Sequence, residues 1–304
     1  FVSLKSKIVI AGGGGFFGKH LIKYYKTTKQ VVVLTRGKSE FKNEVEYVNW
    51  DGKTLGDWKD VVNNAEVLIN LSGKSINCRF TDVNKKRLLS SRIDSTKILA
   101  EAISEVNIPP NIWLNASSGA MYEDGIEPSV EADLTLDNSF LSKMSLAWEN
   151  VFFEMDLPKT RRVALRISLL LGSDDGVLPL LKKITKLGMG GRAGSGNQNI
   201  SWIHIDDAVK AVDFIIKNGG IKGCLNFSTT GVISNTNFMR KLRETLNIPF
   251  GFPAPGFAIR ISTFFLRKEP SLILNSVNFI PQKLLENGFQ FKFTNIDEAL
   301  NDLQ

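Results

Sequence analysis

The sequence predicts an α/β fold, in which a doubly wound parallel sheet carries a smaller C-terminal α/β lobe. An apolar strand, Lys7–Ala11, runs into a glycine-rich turn at 12–18 and then into a helix-like segment. A second apolar strand follows at 31–34. Beyond it, strands keep alternating with helices up to about residue 171, a pattern typical of right-handed βαβ units and of a Rossmann-like sheet.

The further elements of the sheet are predicted from the periodicity of apolar residues. Four apolar runs indicate buried strands, at 46–50, 67–71, 111–116 and 162–167. Three segments indicate helices: a short one at 58–62, a long amphipathic one at 82–106 and another at 140–155.

From Gly172 onward the pattern loosens, and a separate lobe is predicted. Glycines crowd 188–196 ahead of a strand at 200–204, and Asp206-Asp207 is placed to cap a helix over 208–217. The remaining elements are a strand at 224–228, a helix at 235–246 capped by Ser234 or Asn235, a proline-punctuated linker at 249–255, and helices near 271–275, 282–287 and 296–303. We therefore predict a Rossmann domain over 1–171, completed by segments near 199–230, and a substrate-side lobe over 172–198 and 231–304.

The glycine turn is the first candidate binding element. It fits G-x-x-G-x-x-G through Gly12, Gly15 and Gly18, and G-x-G-x-x-G through Gly13, Gly15 and Gly18. Because four consecutive glycines satisfy several templates, the specificity of the motif comes from the strand before it and the helix after it. A turn in this position lets the backbone approach a pyrophosphate, whose charge meets the free N–H groups of the helix N-terminus.

The end of the second strand distinguishes two dinucleotides. An acidic residue there binds the ribose 2′-hydroxyl of NAD, whereas an arginine accommodates the 2′-phosphate of NADP. Here the strand ends on Thr35 and Arg36, and the next acid, Glu40, lies beyond Gly37. NADP is therefore the predicted cofactor, with a solvated strand-end cation as the other interpretation of Arg36.

The amino-acid composition argues against several kinds of binding partner. The 304 residues carry a formal charge of +7 from lysines spread along the chain without an interleaved aromatic stripe, so no nucleic-acid partner is expected. Cys78 and Cys224 are too far apart for a metal knuckle, and no metal is expected. Two cysteines are too few for a disulfide framework, which fits a reducing cytoplasm. Since no apolar run reaches about 18 residues, we expect a soluble protein without a membrane partner. Phe1 in place of Met leaves open whether residues precede it.

A set of short motifs points to a known group of proteins. These motifs are Thr35-Arg36, Asn70-Leu71-Ser72-Gly73, Ser90-Ser91-Arg92, Trp148-Glu149, Leu165-Arg166, Leu171-Gly172, Gly194-Ser195-Gly196 with Gln198, the run from Ser201 to Asp207, Pro281-Gln282-Lys283 and Gly288-Phe289. With them, nearly the whole chain resembles the atypical extended short-chain dehydrogenases/reductases known as nucleoside-diphosphate-sugar epimerase family proteins, including the C-terminal domain typical of that family.

The resemblance implies an NADP site. Its residues would be Gly12, Gly15, Phe16, Phe17 and Gly18 of the turn, then Thr35, Arg36, Leu71, Ser72, Gly73 and Arg92, with Arg87 and Leu170 also near the cofactor. The residues themselves agree in part, because Leu71 and Ser72 end a strand at the carboxyl edge of the sheet. Arg87 and Arg92 lie on the following helix and can aim cations at phosphates, with surface salt bridges as the alternative.

One departure from the family pattern concerns catalysis. Ordinary short-chain dehydrogenases use a Tyr, acidified by a Lys four residues on, beside a Ser. In this chain the Tyr position is Phe140 or Leu141, and the Lys position is then Met144 or Ser145. Neither pair can shuttle a proton.

The remaining catalytic candidates are Ser117, Ser118 and Tyr122, which follow the strand at 111–116. A serine hydroxyl there points into the crevice and can hydrogen-bond a substrate carbonyl or hydroxyl, while Tyr122 can supply a phenol from another direction. The alternative for Tyr122 is an amphipathic wall residue. His204 is interpreted as a structural histidine.

Two functions stay open at this point. The first is an NADP-dependent oxidoreductase or epimerase-like enzyme that exchanges hydride with a carbonyl or carbinol carbon of a small-molecule substrate. The second is an NADP-binding sensor or regulatory protein that has lost catalysis together with the Tyr/Lys pair. The sequence identifies neither the substrate nor the oligomeric state.

Overall fold

A computed structural model describes residues 5–122, 127–133 and 136–304 of the chain. Its strands are β1 (Lys7–Ala11), β2 (Gln30–Thr35), β3 (Glu40–Lys42), β4 (Val45–Asn49), β5 (Val67–Asn70), β6 (Ile112–Ser118), β7 (Arg161–Ile167), β8 (Leu169–Leu171), β9 (Asn199–Ile200), β10 (Trp202–His204), β11 (Gly223–Phe227) and β12 (Ile233–Ser234). Its helices are α1 (Phe16–Tyr25), α2 (Asp82–Glu105), α3 (Phe140–Glu154), α4 (Val177–Ile184), α5 (Ile205–Lys217), α6 (Asn235–Thr245), α7 (Gly256–Phe265), α8 (Ser271–Leu274), α9 (Gln282–Glu286) and α10 (Ile296–Asp302). Short 3-10 turns lie at Asp57–Val61 and Gly119–Met121.

Eight strands form one sheet, in the order β11-β7-β6-β5-β1-β2-β4-β3. Every neighbouring pair is parallel except β3, which runs antiparallel to β4 at the edge. Parallel neighbours need crossover connections, and the chain supplies them with helices on both faces. The predicted doubly wound parallel sheet is confirmed.

The two faces of the sheet carry separate cores, because successive strand residues point to opposite sides. In β1, Ile8 and Ile10 pack toward α1 and α5, whereas Val9 packs toward α2 and α3. These strand residues are fully buried, as expected for a parallel sheet covered on both faces.

A further core lies in the C-terminal part of the chain. It joins α4, α6 and α10 around residues such as Leu178, Phe238 and Leu300. Asp207 of α5 accepts hydrogen bonds from the backbone N–H groups of Lys292 and Phe293, and Ser201 Oγ accepts one from Phe279 N. Asn226 of β11 donates from Nδ2 to Ile280 O, which ties this part to the sheet.

Two local predictions were wrong, and helices α4 and α7 are among the elements that were not predicted. The strand at 200–204 is two short strands, because β9 pairs with β12 while β10 pairs with β8. The cap of α5 is His204, whose Nδ1 accepts a hydrogen bond from Asp206 N at 3.1 Å, since Asp207 is occupied by the backbone at 292–293. Helix α7 directly follows the predicted linker and was missed.

Candidate functional site

A cleft of about 940 Å³ opens at the carboxyl edge of the sheet, where β1, β2, β4 and β5 end. This is the edge at which open parallel sheets bind ligands. The cleft is lined by these predicted cofactor residues: Gly12, Gly15, Thr35, Arg36, Leu71, Ser72, Gly73 and Arg87.

The glycine turn forms the floor of the cleft. Gly12 has φ +78°, and a Cβ added there would lie 2.8 Å from the backbone of Leu71 and Ser72. A Cβ on Gly18 would lie 2.6 Å from the backbone of Gly13, so the helix can approach the turn only because Gly18 has no side chain. These glycines therefore serve close backbone packing.

Gly14 and Gly15, unlike Gly12 and Gly18, face open space and are not packed against other backbone. A Cβ on Gly14 would meet nothing within 4 Å, and one on Gly15 would meet only Gly12 O at 3.8 Å. Helix α1 begins at Phe16 without a side-chain cap, so its first N–H groups stay available at the cleft. A bare backbone beside a helix N-terminus fits an anionic diphosphate.

The end of β2 supplies a free cation. Arg36 is exposed, lines the cleft, and makes no hydrogen bond or ion pair with any residue that the structure describes. Thr35 Oγ1 accepts a hydrogen bond from Gly37 N at 3.1 Å, which fixes the turn after the strand. No carboxylate occupies the strand end, so the position suits a phosphate.

The loop after β4 adds cleft residues that the sequence analysis missed. Asp51 and Lys53 line the cleft, and their place directly after a strand end was the available signal. Asp51 Oδ1 accepts hydrogen bonds from Lys53 N and Thr54 N, both at 2.8 Å, and Oδ2 accepts one from the Thr54 hydroxyl. The bonds from Thr54 and Lys53 lower the pKa of Asp51 to about 2.

The loop after β5 and helix α2 form another wall of the cleft, and Arg92 of α2 lies behind this wall, not among the residues that line the cleft. Arg92 donates from Nη1 to Lys74 O and Leu88 O, and burial lowers its pKa to about 10, so it stays cationic. A Cβ on Gly73 would lie 3.2 Å from Arg92 Cζ, so the loop passes close over the guanidinium. Among the described residues, Arg92 Nε and Ser72 Oγ are buried without hydrogen-bond partners.

The other predicted cofactor residues lie outside this cleft. Phe17 is buried against Phe227, and Leu170 pairs with Ile203 between β8 and β10. The Phe16 ring lies under Gly172, where a Cβ would come within 2.4 Å of it. Their contribution to the cofactor site stays a prediction.

Farther along the same sheet edge lies a buried polar network. Ser117, Arg166 and Asn226 sit side by side on β6, β7 and β11. Arg166 donates from Nε and Nη2 to the two carboxylate oxygens of Glu149, each at 2.9 Å, and from Nη1 to the Tyr122 hydroxyl at 2.6 Å. Ser117 donates to Glu149 at 2.6 Å, and Tyr122 donates to Asn226 Oδ1 at 2.7 Å. Each nitrogen of Arg166 and each carboxylate oxygen of Glu149 thus takes part in at least one hydrogen bond.

The network fixes the protonation of its members. Burial raises the pKa of Tyr122 to about 12, although Arg166 acts in the opposite direction. Burial also opposes ionisation of Glu149, but the hydrogen bonds and charge of Arg166 outweigh it and lower that pKa. Tyr122 is therefore a neutral phenol at neutral pH, and Glu149 is a carboxylate.

Ser118 differs from its two neighbours in the candidate set. It is half-buried at the end of β6, and its Oγ accepts a hydrogen bond from Ala120 N at 3.2 Å. Its own proton has no acceptor within the part of the chain that the structure describes. A Cβ on Gly119 would lie 1.9 Å from the Phe279 ring, so the turn after Ser118 is pressed onto that ring.

Helix α3 confirms that the usual Tyr/Lys positions carry no proton-transfer group. Ser145 is fully buried, and its Oγ donates to Leu141 O at 2.8 Å, within the helix. Met144 is buried as well. Neither residue is an acid or a base, and the carboxylate on this side of the helix is that of Glu149, one turn further on, which already belongs to the buried network.

Two protein-family models match the chain. Residues 8–226 match the NAD dependent epimerase/dehydratase family, and residues 254–303 match a domain of unknown function, DUF1731. An epimerase family protein of Staphylococcus aureus (strain MW2) is 33% identical over 300 residues, with 97% of this chain and 98% of that protein covered. One from Staphylococcus saprophyticus is 32% identical over 298 residues, with the same coverage.

Solved structures show the same architecture. The human epimerase family protein SDR39U1, determined with NADPH, matches with a TM-score of 0.84 at 25% identity and covers 98% of each chain. A nucleoside-diphosphate sugar epimerase from Corynebacterium glutamicum matches with a TM-score of 0.77 at 25% identity, covering 98% of this chain and 58% of that one. Because the first family model spans most of the sequence and relatives align from end to end, the chain belongs to the NAD dependent epimerase/dehydratase family, among its extended short-chain dehydrogenase members.

Proposed function

We propose that this protein binds NADP(H) in the cleft and exchanges hydride with a small carbonyl or carbinol substrate. The observation that carries the proposal is the pairing of a bare glycine turn with the unpaired Arg36 at the end of β2. The first suits a diphosphate and the second a 2′-phosphate. The human neighbour determined with NADPH supports this assignment.

Asp51 does not change this cofactor preference. It is a carboxylate in the cleft, but its oxygens already accept hydrogen bonds from the turn at 53–54. The cations that line the same cleft outnumber the acids: Arg36, Lys53, Lys74 and Arg87 face Asp51 and Asp94. An additional phosphate is therefore favoured over a ribose hydroxyl alone.

The protein groups that would hold the cofactor have distinct roles. The N–H groups at the start of α1 bind the diphosphate, while Ser72 Oγ and Arg92 Nε gain the hydrogen-bond partner that each lacks. The nicotinamide, when bound, supplies the hydride. Ser118 offers the free hydroxyl proton that orients and polarises a substrate oxygen.

We assign different tasks to the three candidate catalytic residues. Ser118 makes the direct substrate contact, because Ser117 and Tyr122 already donate to Glu149 and Asn226. Ser117 and Tyr122 instead stabilise the buried network that lies behind Ser118. The lobe proposed over 172–198 and 231–304 completes the substrate side, with Phe279 packed against the Gly119 turn.

A specific observation favours a second candidate function. The usual Tyr and Lys positions, Phe140 or Leu141 and Met144 or Ser145, carry no acid or base, and the Tyr122 phenol is hydrogen-bonded on both sides with its pKa raised to about 12. A protein of this kind can bind NADP(H) as a sensor or regulator without turnover.

One experiment separates the two functions. NADPH binding is titrated by fluorescence, and NADPH oxidation is then measured with a panel of aldehydes and ketones. An enzyme shows substrate-dependent oxidation that falls about 10²- to 10³-fold in Ser118→Ala, the cost of one lost oxyanion donor. Tyr122→Phe changes the rate less than about tenfold, because its phenol is already engaged.

The control is Ser104→Ala, an exposed serine at the end of α2 far from the cleft. It should leave both binding and turnover unchanged. Binding without oxidation by any substrate supports the sensor function. Absence of NADPH binding contradicts both functions.

A further inference from the structure

Helix α7 exposes an apolar face, and the cation contact that the structure describes on it is that of Arg79, whose Cζ lies 4.7 Å from the centroid of the Phe264 ring. Ile259 and Thr263 are buried and attach the helix to the protein. Opposite them lies the α7 stripe, whose members follow the i, i+4, i+7, i+8 spacing of one helix face: Phe257, Ile261, Phe264 and Phe265. These side chains are between 55% and 77% exposed. A helix normally turns such a face toward a core.

The stripe belongs to a region with a one-sided charge. No Asp or Glu occurs between Glu244 and Glu269, while Arg260, Arg267 and Lys268 do. A second acid-free run spans 176–205 and carries these cations: Lys182, Lys183, Lys186 and Arg192. Exposed large apolar side chains occur in the second run too, at Leu180, Leu187 and Met189.

The two acid-free runs are neighbours in space. Phe252 N donates to Gly188 O, and Gly191 N donates to Phe252 O. Gly194 N donates to Ala254 O. The exposed Phe252 therefore lies beside the exposed Met189 segment, and the cations of both runs belong to one part of the lobe.

The exposed apolar side chains and the cations of this region together indicate what kind of partner it binds. The exposed side chains are phenyl and aliphatic groups without a polar tip, which suits a hydrocarbon environment. The two runs themselves carry cations and no acid, although Glu244 and Glu269 border the first of them, and this excess of positive charge suits an anionic surface. In a symmetric dimer formed through the α7 stripe, the same patch would face itself, so two surfaces that each carry Arg260 and Arg267 would be brought together. That arrangement is repulsive.

We propose that the α7 stripe docks this protein onto an anionic lipid bilayer surface, with α7 lying in the interface and its phenyl groups below the headgroups. Interfacial helices bind in this way through apolar area plus attraction of Lys and Arg to anionic lipids. No helix within the described residues is long and apolar enough to cross a bilayer. Surface docking needs no such helix, so it departs from the expectation of no membrane partner. The proposal is independent of the cofactor assignment.

The test is co-sedimentation of the full chain with vesicles. One set contains phosphatidylcholine alone, and the other contains phosphatidylcholine and phosphatidylserine mixed three to one. The protein should sediment with the anionic set and dissociate as salt is raised from about 0.1 M to 0.5 M, since salt screens exposed charges. The double variant Phe257→Ser/Phe265→Ser should bind at least about tenfold more weakly, because two large apolar side chains are lost.

Two further variants sharpen the test. Phe41→Ser removes an equally exposed phenyl group, 77% exposed on β3, and should bind like the unmutated protein. Lys186→Gln/Arg260→Gln should lose about tenfold for the anionic vesicles, in line with two interfacial charges. Unfolding temperatures and NADPH titrations verify that all variants fold.

The remaining outcomes overturn the proposal. One is absence of sedimentation with either vesicle set. Another is equal vesicle binding by Phe257→Ser/Phe265→Ser and the unmutated protein. A third is a concentration-dependent dimer in light scattering that the same double variant abolishes, which assigns the stripe to a second copy of the chain.

Discussion

Glu149 and Arg166 are both almost completely buried, and they are the charged centre of the sheet edge that faces the proposed substrate side. Taking two ions out of water is costly, and only complete hydrogen bonding compensates for it. Here both carboxylate oxygens and both sides of the Tyr122 hydroxyl are used. The pair thus holds β6, β7, β11 and α3 in one arrangement, at the point where Ser118 begins its turn.

Removing the carboxylate charge tests this account. Glu149→Gln leaves Arg166 buried without its counterion and should lower the free energy of unfolding by about 3 to 5 kcal/mol. Denaturant titration measures the loss. The control is Glu105→Gln, which breaks an exposed ion pair with Lys59 and should cost less than about 1 kcal/mol. Similar losses in the two variants would show that the buried pair does not stabilise the fold.

His204 predicts a pH dependence. The residue is buried under Phe293, and burial lowers its pKa below the ordinary 6.5 despite nearby Asp206 and Asp302. Below pH 6.5 the unfolded chain therefore binds a proton that the folded chain refuses, so stability falls as pH drops from 6.5 through the folded pKa.

Denaturant titrations between about pH 7 and pH 5 measure this slope. His204→Asn keeps a capping acceptor for α5 and removes the titrating ring, so its slope should be shallower. An unchanged slope in His204→Asn would assign the effect to carboxylates elsewhere.

Among the elements, the β1-turn-α1 unit contains glycines of two kinds: Gly15 leaves space for a ligand, and Gly18 allows close packing of the backbone. Gly15→Val adds bulk where the Cβ of residue 15 points into open space, at an ordinary φ of −77°. The variant should fold normally and lose detectable NADPH binding, because the side chain occupies the diphosphate position. NADPH titration and thermal unfolding together measure the two effects.

Gly18→Ala should behave differently. Its Cβ would overlap the Gly13 backbone at 2.6 Å, which cannot rotate away, so about 1 to 3 kcal/mol of stability should be lost as well. Gly219→Ala is the control, since a Cβ there meets nothing within 4 Å.

Retained NADPH affinity in Gly15→Val would mean that the phosphate position is misplaced.

The elements that the sequence predicted well are those with local signals. The strand-turn-helix unit and the cap of α6 on Ser234 depend on neighbours within a few residues, and both are present. Helix α7 was missed because only Ile259 and Thr263 face the core, so its strongest apolar periodicity points to solvent. The break at Ser201 was missed because pairing of β9 with β12 and of β10 with β8 creates it, and these partners are distant in sequence.

The candidate site also combines residues with local sequence signals and residues whose contacts come from distant parts of the chain. Gly15 and Arg36 belong to motifs that can be read along the chain. The partners of Ser117 and Tyr122 cannot be read in this way, since Glu149 and Asn226 reach them from α3 and β11. The structure was needed to show that the hydroxyls of Ser117 and Tyr122 already donate hydrogen bonds, whereas the hydroxyl proton of Ser118 has no acceptor among the described residues.

At the scale of the whole molecule, the cleft lies between the central strands and α2, and the C-terminal part covers the neighbouring sheet edge. A ligand that binds only the folded chain stabilises it by mass action, by about 2.7 kcal/mol at a concentration 100 times its Kd. NADPH should therefore raise the unfolding temperature more than NADH at equal concentration.

The most direct measurement is calorimetric titration of NADPH and NADH into the unmutated protein, Arg36→Ala and the control Lys38→Ala, a nearby cation that does not line the cleft. The account predicts tighter binding of NADPH, a loss of about 1.5 to 3 kcal/mol for NADPH in Arg36→Ala from one lost charged hydrogen bond, and unchanged NADH affinity. Lys38→Ala should match the unmutated protein. Equal affinities of the unmutated protein for both cofactors, or equal losses for both in Arg36→Ala, would contradict the assignment of the 2′-phosphate to Arg36.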